Sequence, residues 1–304
     1  MEKMMTTEVK KKNKFSRAWK KFARFPMMVR FVLIVCFVFF LVEALIQLYP
    51  FFWVINNSLK SSSVINENRL SLTTEWLFNN YLRVFKEFKV AGGIAYGQML
   101  FNSFWETALF LLANITASLF VAYALAKFRF PGCAFLFAYL IFKQTIPIFG
   151  TGAAVFKLKY ELGMINNPYA IWFSWMDGFD YSAFILYGGF KSISKSYSES
   201  AKLDGANEYQ IFSRIMLPQI FPAVLALLIT NFVGRWNNYA TAQIDLKDFP
   251  NLAYGLFLYQ KSAVRGDEGV YYAVLIMTAL PGVLLYATSQ SLIIKNMTVG
   301  GLKG

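Results

Sequence analysis

Apolar residues fall along this chain in long blocks, not in an alternating or half-helical pattern. The blocks span about 31–55, 100–126, 133–156, 168–190, 220–240 and 270–294. Each approaches or exceeds the ~20 residues that cross a bilayer as a helix. Helices of a soluble core carry a polar face, and these blocks largely lack one. Pro147, Gly150 and Gly152 break the third block. Polar segments separate the blocks, the longer ones at 56–98, 191–218 and 241–269. The pattern predicts an all-α, polytopic membrane protein with six transmembrane helices over 31–295. A basic tail (1–30) precedes this unit and a short tail (296–304) follows it.

The polar stretch 196–218, SYSESAKLDGANEYQIFSRIMLP, reads as two short helices. Ser196-Tyr197-Ser198-Glu199 fits a capping box. Leu203 closes the first helix, Gly205 supplies the positive φ that ends it, and Asp204 caps the second helix. Ile211, Phe212 and Ile215 share a face of that second helix. Pro218 stops it and opens the next apolar block. On helix physics alone, a solvated loop carrying an incidental amphipathic helix is the readier account of the stretch.

Composition narrows the class. Hydrophobic residues make up 57% of the 304, with a mean hydropathy of +0.42. Soluble domains hold about 45–50% apolar residues even with glycine included. The chain has no histidine, which removes His-based triads and His metal sites. Cys36 and Cys133 lie at or inside apolar blocks without metal-ligand or paired spacing. A signal-peptide reading of the tail fails, because the run after it is long and no A-x-A-like site follows.

The net charge of +13 suggests nucleic acid until its distribution is counted. With the N-terminus inside, the inner segments hold eighteen Lys and Arg residues and the outer ones ten. The positive-inside rule favours that orientation. It places both termini and 196–218 in the cytoplasm, and the basic tail against anionic headgroups.

Within 196–218, Glu199, Ala201, Gly205, Ile215, Leu217 and Pro218 resemble the cytoplasmic coupling motif of ABC importer permeases. Ser200 stands where that family usually has alanine; both are small, so close packing survives. Asn102-Ser103, AYALA with FRFPG at 122–132, Leu162-Gly163, Phe190, Trp236-Asn237 and the terminal Gly-Leu-Lys-Gly extend the likeness over 31–304. Together they resemble the maltose-type sugar importers' smaller permease subunit.

That resemblance implies a permease of a bacterial inner membrane, not an enzyme. It implies a coupling helix pair between helices 4 and 5. It also implies a second homologous permease chain, two copies of a cytoplasmic ATPase and an extracellular solute-binding protein. Glu199, Ser200, Ala201, Asp204, Gly205, Ile211, Phe212, Leu217 and Pro218 are then the ATPase-coupling residues, with Ile211 and Phe212 filling a groove and Glu199 pairing with a basic residue there. ATP is bound by the partners: no G-x-x-x-x-G-K-[ST] loop occurs, and GTGAAVFK at 150–157 lacks the second glycine and the final hydroxyl. No other cofactor is expected.

Glu43, Glu106, Lys143, Asp177 and Asp180 fall at membrane depth, where ionisable residues face a bundle or a cavity. Either Glu43 or Glu106 pairs with Lys143, or these residues snorkel near the span ends, or some of them line the substrate path. Lys143, Trp175, Asp177, Asp180, Asn231 and Trp236 are the path candidates, with Trp172 and Tyr181 beside the aspartates. Aromatic faces stack on sugar rings and carboxylates accept hydroxyl protons, although aromatics near span ends also form interfacial belts. Lys143-Gln144 raises the reading of an acidic cargo. Other solutes, such as a polyol or glycerol phosphate, and a non-transporting scaffold are the alternatives. An intramembrane hydrolase lacks support, since no G-x-S-x-G occurs.

Overall fold

The computed structural model describes residues 22–23, 25–90, 92–146, 150–262 and 266–300, with side chains up to 290. Pro147 and the two tails lie outside the described residues, apart from 22–23 and 25–30 of the first and the backbone of 296–300 in the second. The architecture is helical. Helix α1 covers Met27–Ser58, α2 Ser62–Glu67 and α3 Asn79–Glu87. A two-residue antiparallel ribbon, β1 (Lys89–Val90) with β2 (Ile94–Ala95), leads into α4 (Tyr96–Lys127). Helices α5 (Cys133–Thr145) and α6 (Gly152–Glu161) follow, then a 3-10 turn at Ile171–Trp175 and α7 (Tyr181–Ser192). Helix α8 is Ser196–Leu203 and α9 runs from Glu208 to Trp236. Helices α10 (Ala240–Ile244), α11 (Leu252–Lys261) and α12 (Glu268–Gly300) complete the chain.

Among the described residues, four helices are long and apolar enough to cross a membrane: α1, α4, α9 and α12 to Gln290. The third and fourth apolar blocks are not single helices. The third is split between α5 and α6, with Gly150 at φ +85° in the gap. The fourth breaks at 176–180, where the chain presses on α4: a Cβ at Gly178 would lie 2.6 Å from Val121 Cγ2 and 3.1 Å from the Ala117 carbonyl. Asp180 restarts the helix by accepting the Ala183 N–H at 3.0 Å.

Four apolar clusters hold the bundle, two of them large. In one, Tyr123 and Ala126 of α4, Leu186 and Phe190 of α7, Ala201 of α8, and Ile211, Met216 and Ile220 of α9 interlock. In the other, Val84, Phe88, Tyr96, Met99, Trp236, Leu252 and Val274 gather α3, α4, α9, α11 and α12. Gly255 lets α11 close on Met99, whose sulfur occupies the space that a Cβ would need.

A buried ion pair joins the long helices between these cores. Glu106 of α4 accepts from Arg235 Nη2 of α9 at 2.7 Å, with side chains 2% and 6% exposed. Asn251 donates to the other carboxylate oxygen at 2.8 Å and to the Asn238 carbonyl at 3.0 Å. Arg235 Nη1 reaches Thr241 at 3.1 Å. The guanidinium also lies over the rings of Trp175 (4.3 Å) and Phe110 (4.8 Å). Glu106 therefore does not pair with Lys143, and neither does Glu43; Lys143 pairs with Asp177.

The segment between α1 and α4 packs on the start of α12. Arg83 bonds Glu87 at 2.7 Å and Asp267 at 2.9 Å, and Arg69 bonds Glu268 at 3.0 Å. Lys60 is fully buried, with its ammonium on Asn57 Oδ1 and on the carbonyl and hydroxyl of Ser71. Burial pushes the Asp267 carboxyl up, but hydrogen bonds from Arg83, the Val270 N–H and Ser62 bring it below its usual value.

Glu106→Ala leaves Arg235 buried and unpaired, and is expected to cost about 3–5 kcal/mol. Adding Arg235→Met should restore much of that loss, read by thermal unfolding in mild detergent. The Asp267 contribution is held above the ordinary aspartate value of 3.8 and lost as pH falls from there through the lower folded value. The melting gap between wild type and Asp267→Asn should therefore narrow with acid.

Candidate functional site

The hairpin α8–α9 forms as the sequence pattern predicts in outline, with different capping. Helix α8 ends at Leu203, and Gly205 takes φ +84°. The Ala206 N–H reaches the Ala201 carbonyl at 2.9 Å and that of Gly205 the Lys202 carbonyl at 3.1 Å, closing the turn. The box expected at Ser196–Glu199 is not formed: α8 starts after Lys195 without a side-chain cap, and Ser196 Oγ instead meets Ser194 Oγ at 2.8 Å. The box lies one helix later. Asn207 Oδ1 accepts the Gln210 N–H and Gln210 Oε1 accepts the Asn207 N–H, both at 2.9 Å. Asn207, not Asp204, therefore caps the second helix.

Pro218 does not end that helix. Residues Ile211–Met216 widen into a π turn, in which the Leu217 N–H bonds the Phe212 carbonyl. Pro218 has no N–H to give, and the wider turn passes that gap. Gln219 Nε2 supplies a side-chain donor to the Ile215 carbonyl at 3.0 Å. The helix then continues unbroken to Trp236.

Which side chains face outward is also corrected. Ile211 is fully buried, and Phe212 packs inward against Tyr123 (4.9 Å), Phe120 (5.8 Å) and Phe190 (6.3 Å). Neither reaches an external groove, because α4 and α7 already occupy that face. Ala201 and Leu217 belong to the same core. Outward-facing are Glu199, Ser200, Asp204, Gly205 and Pro218. Leu203 is 90% and Tyr209 77% exposed. These two are the apolar tips that periodicity missed; their isolation on the polar face was the available signal. Lys202 and Glu208 pair at 2.5 Å across the hairpin. Glu199 has no ion-pair partner among the described residues.

Deeper in the bundle lies a polar seam. Asp180 accepts from Asn114 at 2.9 Å and Ser118 at 2.8 Å, both on α4. Asn231 of α9 donates to Ser182 at 3.0 Å, and a longer contact of 3.4 Å reaches Asn114. Asp180 and Asn231 thus meet in one network linking α4, α7 and α9. Lys143 and Asp177 pair beside it, partly exposed, and Gln144 reaches the Phe179 carbonyl at 3.3 Å.

Two aromatic candidates do not join the seam. Trp175 is 6% exposed beneath Arg235. Trp236 is 2% exposed, donates to the Thr278 carbonyl at 2.9 Å and packs on Phe104 and Phe232. Both are packing residues in this arrangement, since neither presents a face to open space. At the opposite end of α9 from the hairpin, a cleft of about 340 Å³ is lined by Arg69, Tyr259, Gln260, Glu268, Tyr271 and Tyr272. Its walls come from the segments 56–98 and 241–269 and from Tyr271 and Tyr272 of α12.

The chain is similar to known proteins. The diacetylchitobiose uptake permease protein of Streptomyces coelicolor is 27% identical over 84% of each chain. An arabinooligosaccharide transport permease protein of Bacillus subtilis is 28% identical over 88% of this chain and 94% of its own length. The maltose/maltodextrin permease protein of Escherichia coli K12 is 28% identical over 67% of this chain and 72% of its own. A chain of the crystal structure of a bacterial ABC transporter that imports the acidic polysaccharide alginate superposes with a TM-score of 0.72. It is 24% identical, covers 88% of this chain and 98% of its own, and supports the fold. The family model described as the binding-protein-dependent transport system inner membrane component matches residues 90–299. That match takes in the hairpin, the seam and the buried ion pair, and the chain belongs to this family of membrane transport components.

Proposed function

We propose that this chain forms part of the membrane passage of an ABC importer for an oligosaccharide, powered by ATPase subunits that dock on the α8–α9 hairpin. The observation that carries the docking is the division of that hairpin: a base locked into the core and a tip of Glu199, Leu203 and Tyr209 left exposed. The relatives named above are permease proteins for oligosaccharides, which supports the cargo class. The Glu199 carboxylate, left without an ion-pair partner among the described residues, orients the ATPase through charge-assisted bonds, and the two tips fill its groove. Helix α9 then carries hairpin motion through Asn231 to Arg235.

In this reading α5 with α6, and the 3-10 turn with α7, supply two further crossings, which makes six. The termini and the hairpin lie in the cytoplasm, following the charge bias. A second, homologous permease completes the passage, two ATPase copies bind the ATP, and an extracellular binding protein delivers the glycan to the face that bears the 340 Å³ cleft. Irregular backbone at membrane depth is tolerated where it lines a cavity, which makes 176–180 with Lys143 the natural wall of the path. Asp177 already neutralises Lys143, which favours an uncharged glycan over an acidic one or a glycerol phosphate.

Glu199→Lys in the assembled complex should abolish glycan-stimulated ATP hydrolysis while the complex still folds. Leu203→Ala and Tyr209→Ala should each weaken coupling about tenfold, corresponding to ~1.4 kcal/mol, with melting unchanged. Ile211→Ala should instead cost about 2–5 kcal/mol of stability. Normal coupling in Glu199→Lys would overturn the docking of the ATPase on the hairpin tip. Uptake of a neutral maltodextrin should fall in Lys143→Met and recover in Lys143→Met with Asp177→Asn. Selective loss of an alginate oligosaccharide in Lys143→Met would instead point to an acidic cargo.

A further inference from the structure

The cleft between the end of α11 and the start of α12 is built apart from the polar seam. None of Lys143, Asp177, Asp180 and Asn231 lines it. Its 340 Å³ falls near the lower end of small-molecule pockets, about 300–1,000 Å³, so it holds the end of a glycan and not a long chain.

Three tyrosines line it. Tyr259 of α11 stacks on Tyr271 of α12 at 4.9 Å, with the ring planes 10° apart. Phe88 supports Tyr259 at 5.2 Å, and Trp53 of α1 meets Tyr272 edge to face at 5.3 Å. Rings already held by other rings lose little freedom when a ligand arrives. The polar lining is equally organised. Gln260 Nε2 donates to the Tyr271 hydroxyl at 2.9 Å, which leaves the Gln260 amide oxygen to accept and the phenolic proton to donate. Arg69 Nη2 donates to both Glu268 oxygens, at 3.0 and 3.2 Å, and so uses only part of the guanidinium's donor fork. Arg69 and Glu268 are the two charged residues of the lining, and they cancel.

This chemistry suits an uncharged ring with an apolar face and a rim of hydroxyls. A pyranose has both: its ring C–H groups pack on aromatic carbon, and each hydroxyl donates and accepts. A uronate or a phosphate needs an uncompensated cation, and Arg69 is already paired. We propose that the cleft is a subsite for a terminal, uncharged sugar residue of the cargo, with the tyrosines against ring carbons and Gln260, Arg69 and Glu268 on its hydroxyls. This rests on the importer reading above. It adds a contact on the outer face, separate from the wall at 176–180. A glycan end held there stays on the permease while the rest leaves the binding protein.

The test uses the full complex in lipid nanodiscs with its binding protein. Diazirine derivatives of maltotriose, cellotriose and trigalacturonate are photolysed on it, and the labelled peptides are mapped by mass. At least one neutral trisaccharide should label 259–260 and 271–272, and the unlabelled sugar should compete. Gln260→Ala should lower that labelling about tenfold, the weight of one or two lost hydrogen bonds, with melting unchanged because Gln260 is exposed. Glu268→Gln frees the Arg69 charge and should raise labelling by trigalacturonate about tenfold, whereas Arg69→Gln should not. A purely structural ion pair would give no such difference in sign. Cleft labelling by diazirine phosphatidylethanolamine that no glycan displaces would assign the cleft to a headgroup and overturn the subsite. Glycan-stimulated ATP hydrolysis without glycan label in the cleft would overturn the subsite alone. Absence of glycan-stimulated hydrolysis in the wild-type complex would overturn the importer reading beneath it.

Discussion

The fold depends on how it settles a carboxylate and a guanidinium inside a bundle with almost no water. Glu106 and Arg235 are 129 residues apart in sequence, yet sit 2.7 Å apart and all but sealed. Neither is tolerable alone at that depth. Their union fixes the register of α4 against α9. Asn251 then draws α11 onto the pair, and Trp175 and Phe110 cover it. The packing of Trp236, Met99 and Leu252 follows from that placement.

Helix α9 connects this fixed point to the exposed hairpin. Its Asn207–Gln210 cap, buried Ile211 and inward Phe212 tie the near end to α4 and α7. Asn231 meets the polar seam partway along, and Arg235 anchors the far end. The π turn before Pro218 and the missing N–H at Pro222 interrupt the regular hydrogen-bond ladder without breaking the helix. On the proposed reading, a push on Leu203 and Tyr209 reaches the seam along one rod. The broken backbone at 176–180 is where the seam yields, since Gly178 presses on α4 and Asp180 holds its network through hydrogen bonds, not packing.

Much of this was legible in the residues. Four apolar blocks became long helices because only isolated polar residues fall within them, and Gly205 ends α8 because its positive φ suits glycine. The split of the fourth block was also readable: Asp180, just before an apolar run, is an N-cap signal. Other features were not. Two capping boxes fit the stretch 196–210, and only the point where backbone turns begin decides between them. The pairing of Glu106 with Arg235, not Lys143, depends on which helices are neighbours. Helical periodicity put Ile211 and Phe212 on one face but could not say whether that face met this chain's own core. Trp175 and Trp236 looked like sugar platforms by residue type, and burial gave them to packing.

The most direct measurement of the coupling claim is a pair of spin-label distances in the assembled, lipid-embedded complex, with and without ATP. One pair joins Tyr209 to Asn237, the two ends of α9. The other joins Tyr209 to Leu72, on the segment packed at α12. The account predicts that ATP binding shifts the second distance by several ångströms and leaves the first unchanged, as a rigid lever requires. An unchanged second distance, or a change confined to the first, would contradict it.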